Sequence, residues 1–145
     1  MTGNRVFLDT NIIIYAYDVT AGEKHKIANK ILLDLWDSST GLVSTQVLQE
    51  FFVNITRKIQ RPLDPKIAKE IVNDFLKWDI IVNDGEIILG AIDIQLGYKF
   101  SFWDSMIIYA AISGGAELLL SEDLSDGQSI EGVVVKNPFY NIKPF

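Results

Sequence analysis

The chain has 145 residues, 48% hydrophobic and 22% charged, with a formal net charge of −6. That length suits one domain around one core, and the balance is that of a folded protein rather than a disordered one. There is no cysteine and one histidine, His25. Disulfides, thiolate nucleophiles and Cys- or His-rich zinc sites are thereby excluded, and the acidic balance, taken alone, argues against non-specific binding of nucleic acid.

The elements follow in chain order. "RVFLD" (5–9) is a short apolar run suited to a strand buried on both faces. "TNIIIYAYD" can start a helix with Thr10 or Asn11 as N-cap. His25 lies in the charged run "EKHK", which reads as a solvated helix face and not as part of a Ser-His-Asp triad. In "HKIANKILLDLW" (25–36) the apolar residues recur with a helical period. "GLVS" (41–44) is a second strand. Ser44 or Thr45 caps the next helix, whose stripe is Leu48, Phe51, Phe52, Ile55 and Ile59. Asp64 followed by Pro65 is a helix start, and the spacing predicts a helix over 65–78 that buries Ile67, Ile71, Val72 and Phe75. "DIIV" (79–82) is a third strand, and Asp84 caps a helix over 86–97. Ser101 opens "FWDSMIIYAAIS", stopped by Gly114-Gly115. "ELLLS" (117–121) and "VVVK" (133–136) are the fourth and fifth strands.

Short apolar strands alternating with helices predict a three-layer α/β/α fold, a parallel sheet of about five strands between helices, in one domain over 1–145. No repeat, low-complexity tract or linker divides the chain. The apolar runs are far shorter than the ~20 residues that span a bilayer, and "MTGNRVFLD" lacks a signal peptide's apolar stretch. The expectation is a cytoplasmic protein with no membrane association.

In such sheets ligands bind beyond the carboxyl ends of the strands. Asp9 ends the first strand and Asp123 follows the fourth by two residues, both at that edge. Glu50 sits early in the helix leaving the second strand. The helix carrying Asp104 must begin at the same edge, because it ends just before strand four. Each acid has an ordinary alternative: Asp9 a cap, Asp104 a capping box with Ser101, Glu50 a solvent-facing helix acid, Asp123 a turn. Together they need one edge of one sheet, which independent caps do not. Clustered carboxylates repel unless a cation sits among them. Hard divalent ions such as Mg²⁺ suit oxygen ligands, and they activate water against a phosphodiester. Basic residues gather at Arg57, Lys58, Arg61, Lys66 and Lys69, either a solvated helix end and turn or a phosphate-facing rim.

On "FLDTNIIIYAYD", "STQVLQEFF", "SFWDSMIIYAA", "LLLSEDLSDGQ" and "NPF" (137–139), almost the whole chain resembles the PIN-domain ribonucleases, which include VapC-type toxins. The resemblance implies a sheet of about five strands flanked by helices. It implies Asp9, Glu50, Asp104 and Asp123 as metal-binding catalytic acids, with Thr10, Asn11 and Ser121 as polar groups orienting them. Asp126 is either a further acid of the site or turn chemistry before Gly127, with the turn favoured. The implied activity is Mg²⁺- or Mn²⁺-dependent endonucleolytic cleavage of single-stranded RNA. The implied partners are RNA, a small antitoxin and a second copy of the chain in a homodimer.

Two other classes compete. One is a phosphatase or phosphotransferase with Asp9 as nucleophile; its common form wants a second Asp where this chain has Asn11. The other is a non-catalytic RNA-binding module. Trp103, beside Asp104, is either a base-stacking surface or a buried aromatic, and burial is the favoured expectation.

Overall fold

The computed structural model describes residues 4–140. Strands β1 (Val6–Leu8), β2 (Gly41–Ser44), β3 (Asp79–Ile81), β4 (Leu118–Leu120), β5 (Ser129–Ile130) and β6 (Val133–Lys136) form one sheet in the order β3-β2-β1-β4-β6-β5. All neighbours are parallel except β5 with β6. Phe7, at the middle of β1, pairs with Leu42 on one side and Leu119 on the other. All three side chains are fully buried, as expected for a strand covered on both faces.

The helices are α1 (Thr10–Tyr17), α2 (Glu23–Ser38), α3 (Thr45–Arg57), α4 (Pro65–Phe75), α5 (Gly85–Tyr98) and α6 (Phe102–Ser113). They pack as two groups, α1 with α2 and α3 and α3 with α4, and separately α5 with α6. Right-handed crossovers explain the grouping. The chain steps from β1 to β2 to β3 in one direction, then returns past β1 to β4, so the last helix pair covers the opposite face. The return makes the carboxyl ends of β1 and β4 the point where strand order reverses, which is where open α/β sheets form a crevice. In the α5–α6 pair, Gly90 lets the helices approach. A Cβ built there would lie 2.2 Å from the Tyr109 ring, so a larger residue forces that ring aside.

The caps at Ser44, Asp64, Asp84 and Ser101 are as expected, each side chain accepting a backbone N–H of the first turn. Four expectations need correction. The α1 cap is Asp9, not Thr10 or Asn11; its carboxylate accepts from Thr10 N. The sheet has a sixth strand. Residues 129–130 turn back through Glu131 and Gly132, both at positive φ, the two-residue hairpin connection that matches strand twist. Two residues are too few to show a period. Helix α4 stops at Phe75, where Leu76, Lys77 and Trp78 turn back on the last helical carbonyls, and Ile67 stays half exposed while Ala68 is buried. His25 is half-buried, with Nδ1 2.9 Å from the Tyr15 carbonyl oxygen.

Candidate active site

Asp9 is the residue at which β1 becomes α1. Extended backbone (φ −72°, ψ 161°) turns its side chain back over the first helical turn, leaving the carboxylate only 8% exposed. One oxygen accepts from Thr10 N at 2.7 Å and the other from Ser121 Oγ at 2.8 Å. Ser121 follows β4, so this bond joins the ends of the two strands at the crevice. Ser121 Oγ in turn accepts from Asp123 N at 3.2 Å. Asn11 closes the same loop: its amide nitrogen donates to Asp123 Oδ2 at 2.9 Å, and its amide oxygen accepts from Glu122 N at 3.3 Å.

Glu50 comes from the second turn of α3. Thr10 Oγ1 donates to Glu50 Oε1 at 2.7 Å, and Gln46 Nε2 lies 3.5 Å from Oε2. Asp104 lies in the first turn of α6, its backbone N–H donating to Ser101 Oγ at 3.1 Å. That is half of the capping box; the Asp104 carboxylate itself lines the crevice. Asp9, Glu50, Asp104 and Asp123 thus face one cleft of about 260 Å³, shared with Thr10, Asn11, Ile14, Gln46, Asn54, Trp103 and Ile107.

Burial pushes the Asp9 carboxyl up to about 6. The Ser121 and Thr10 hydrogen bonds pull the other way, and the charges on Glu50 and Asp123 add to the rise. The donors in the cleft are hard oxygens, with no thiolate or imidazole among them, which fits Mg²⁺ or Mn²⁺. As the side chains stand, no three acids among the described residues are close enough to share one ion. Thr10 and Gln46 hold Glu50, Asn11 holds Asp123, and uncompensated carboxylates repel one another.

Ser121 is buried behind Asp9 rather than lining the cleft. Arg57 and Lys58 lie at the far end of α3, exposed and outside the cleft lining, roughly 10 Å along the helix from Glu50. Asp126 accepts from Asn137 N at 2.7 Å and ties the loop after β4 to the end of β6, also outside the cleft. Trp103 corrects an expectation: it is 63% exposed and lines the cleft.

Gln46 and Asn54 went unnoticed in the sequence. They sit four residues either side of Glu50 on one helical face, opposite the buried Leu48, Phe51 and Ile55. Asn54 donates to the Glu50 carbonyl at 2.7 Å. The signal was that polar i, i+4, i+8 row.

The fold has solved counterparts. A toxin–antitoxin complex from Klebsiella pneumoniae aligns with TM-score 0.67 and 21% identity over 92% of this chain and 97% of the other. A DNA-bound VapBC from Salmonella typhimurium aligns with TM-score 0.64 and 18% identity over 94% and 99%. VapC20 of Mycobacterium tuberculosis, a toxin that cleaves the sarcin–ricin loop, aligns with TM-score 0.61 and 16% identity over 81% and 91%. No curated protein sequence matches this chain. Residues 6–125, from the first residue of β1 to just past Asp123, match the PIN domain, and the chain belongs to the PIN-domain family.

Proposed function

We propose that this protein is a divalent-metal-dependent endoribonuclease, the toxin of a toxin–antitoxin pair, acting on single-stranded RNA. The observation that carries the reading is the convergence of Asp9, Glu50, Asp104 and Asp123, from four separate segments, on one cleft at the β1/β4 crevice. Those four acids would hold Mg²⁺ or Mn²⁺. When bound, such an ion supplies a water made nucleophilic near neutral pH and charge compensation for the phosphodiester.

The rest is work for the protein's own groups. Ser121 and Thr10 N fix the Asp9 carboxylate in one orientation. Thr10 Oγ1 and Gln46 set Glu50, and Asn11 sets Asp123. Asp9 is a poor candidate for a phosphorylated nucleophile, because it is buried and both its oxygens already accept hydrogen bonds.

The decisive experiment measures cleavage of single-stranded RNA with Mg²⁺ or Mn²⁺, with and without chelator, by wild type and Asp104→Asn. Metal-dependent cleavage that the variant loses supports the reading; equal cleavage by both proteins would sink it.

The partner reading rests on two apolar surfaces. A groove of about 650 Å³ between α3 and α4 is lined by Leu48, Phe52, Val53 and Val72 and flanked by Lys66 and Lys69. It is proposed to take an amphipathic antitoxin segment, and an antitoxin that still inhibits Phe52→Glu fully would refute that. On α5, Ile88, Leu89, Ile92 and Leu96 are exposed at helical spacing, the proposed homodimer face. Sedimentation should show a dimer that Leu89→Glu converts to monomer; an unchanged dimer rejects this face.

A further inference from the structure

From the exposure and setting of Trp103 we infer that its indole is the stacking platform for an unpaired base of the RNA held in the cleft, resting on the ribonuclease reading above.

Three observations converge. The first is exposure: a tryptophan buries more apolar area than any other side chain and is seldom left in water, yet Trp103 is 63% exposed. Of the residues lining the cleft, it is the one large hydrophobic so exposed.

The second is position. Trp103 directly precedes Asp104. Its carbonyl accepts from Gln46 Nε2 at 3.4 Å, and the same nitrogen lies 3.5 Å from Glu50 Oε2. One buried amide therefore links the backbone beneath the indole to one of the four acids. Phe102 packs edge-on against the ring at 5.2 Å between centroids. The ring is thus tied to the acids rather than carried on a free loop.

The third is what the cleft lacks. Among the described residues no Lys or Arg lines it, and Arg57 and Lys58 lie away from it. Beyond a bound ion, a polyanion entering a cleft of carboxylates gains from an attraction that does not depend on phosphate pairing. Stacking supplies it, because every base has a π-face and the contact is indifferent to net charge. Ile14 and Ile107 are the other apolar residues that line the cleft. The cleft therefore offers carboxylates and an exposed indole together. A base paired in a duplex cannot present its face, so the platform selects unpaired nucleotides.

The test compares wild type, Trp103→Phe and Trp103→Leu in binding a fluorescently labelled, 2′-O-methylated RNA decamer with Mg²⁺ present, read by anisotropy. Cleavage of the unmodified decamer is followed in parallel. Trp103→Leu keeps apolar bulk without a π-face and should bind on the order of tenfold more weakly, whereas Trp103→Phe should lose only about threefold. Wild-type tryptophan emission should be quenched by the RNA, since Trp36 and Trp78 pack with Phe75 outside the cleft. Equal affinity in Trp103→Leu and wild type would overturn the platform while leaving the nuclease standing. Quenching and selective loss in Trp103→Leu without any cleavage would support the platform and strike the nuclease. Absence of RNA binding by wild type overturns both.

Discussion

The two edges of the sheet handle charge in opposite ways. At the amino edge, Arg5 donates to the Gly114 carbonyl and pairs with Asp79 at 3.1 Å. Beside it Trp78 packs edge to face on both Trp36 and Phe75, Trp36 and Phe75 meet at a tilt, and the Trp78 ring lies over Gly41. Opposite charges meet there and apolar groups fill the remaining space. At the carboxyl edge four acids face one cleft with neutral donors between them. Asp9 is buried there with no cationic side chain beside it among the described residues. One edge is arranged for stability; the other retains uncompensated charge, the pattern of a site.

The largest expected effect breaks function at the carboxyl edge alone. Asp104→Asn should lower RNA cleavage at least ~100-fold, on the scale of removing one preorganised electrostatic group, with the melting temperature nearly unchanged. Cleavage within a few-fold of wild type would remove Asp104 from the acid set.

The converse change sits at the amino edge. Phe75 is fully buried, so Phe75→Ala should cost about 3–5 kcal/mol of stability, measured by urea unfolding. Cleavage per folded molecule should stay at wild-type level. A fall matching that of Asp104→Asn would erase the distinction between the edges.

Asp9 sharpens the contrast, because there the proposed function and stability oppose each other. Its carboxyl stands at about 6 in the native state against an ordinary 3.8. A raised native value means that its stabilisation is full below pH 3.8 and lost as pH rises through about 6. Ionised Asp9 therefore weakens the fold by about 3 kcal/mol at neutral pH. In chelator at pH 7, Asp9→Asn should unfold at higher urea than wild type, and the gap should close toward pH 4. A destabilised Asp9→Asn at pH 7 contradicts this.

The smallest effect is at Arg5. Both Arg5 and Asp79 are well exposed, so Arg5→Ala should cost less than ~1 kcal/mol. A loss of several kcal/mol in urea unfolding would show that the amino edge leans on that ion pair rather than on the aromatic cluster.

The alternation of strands and helices determined the layered fold and the edge at which Asp9, Glu50, Asp104 and Asp123 collect. Alternation of this kind leaves few topologies, and a strand end names its edge. What each acid touches was decided by tertiary structure: the Ser121 bond to Asp9 and the Asn11 bond to Asp123 join residues 112 positions apart, beyond any local pattern. Trp103 shows the same limit. Its helix "FWDSMIIYAAIS" is apolar nearly all round, because α6 is covered by both the sheet and α5, and such a helix has no polar face to mark the side left open. The sixth strand was hidden for want of length. Only when α3 and α6 meet does Gln46 reach the Trp103 carbonyl and leave an indole, rather than a core aromatic, beside the acids.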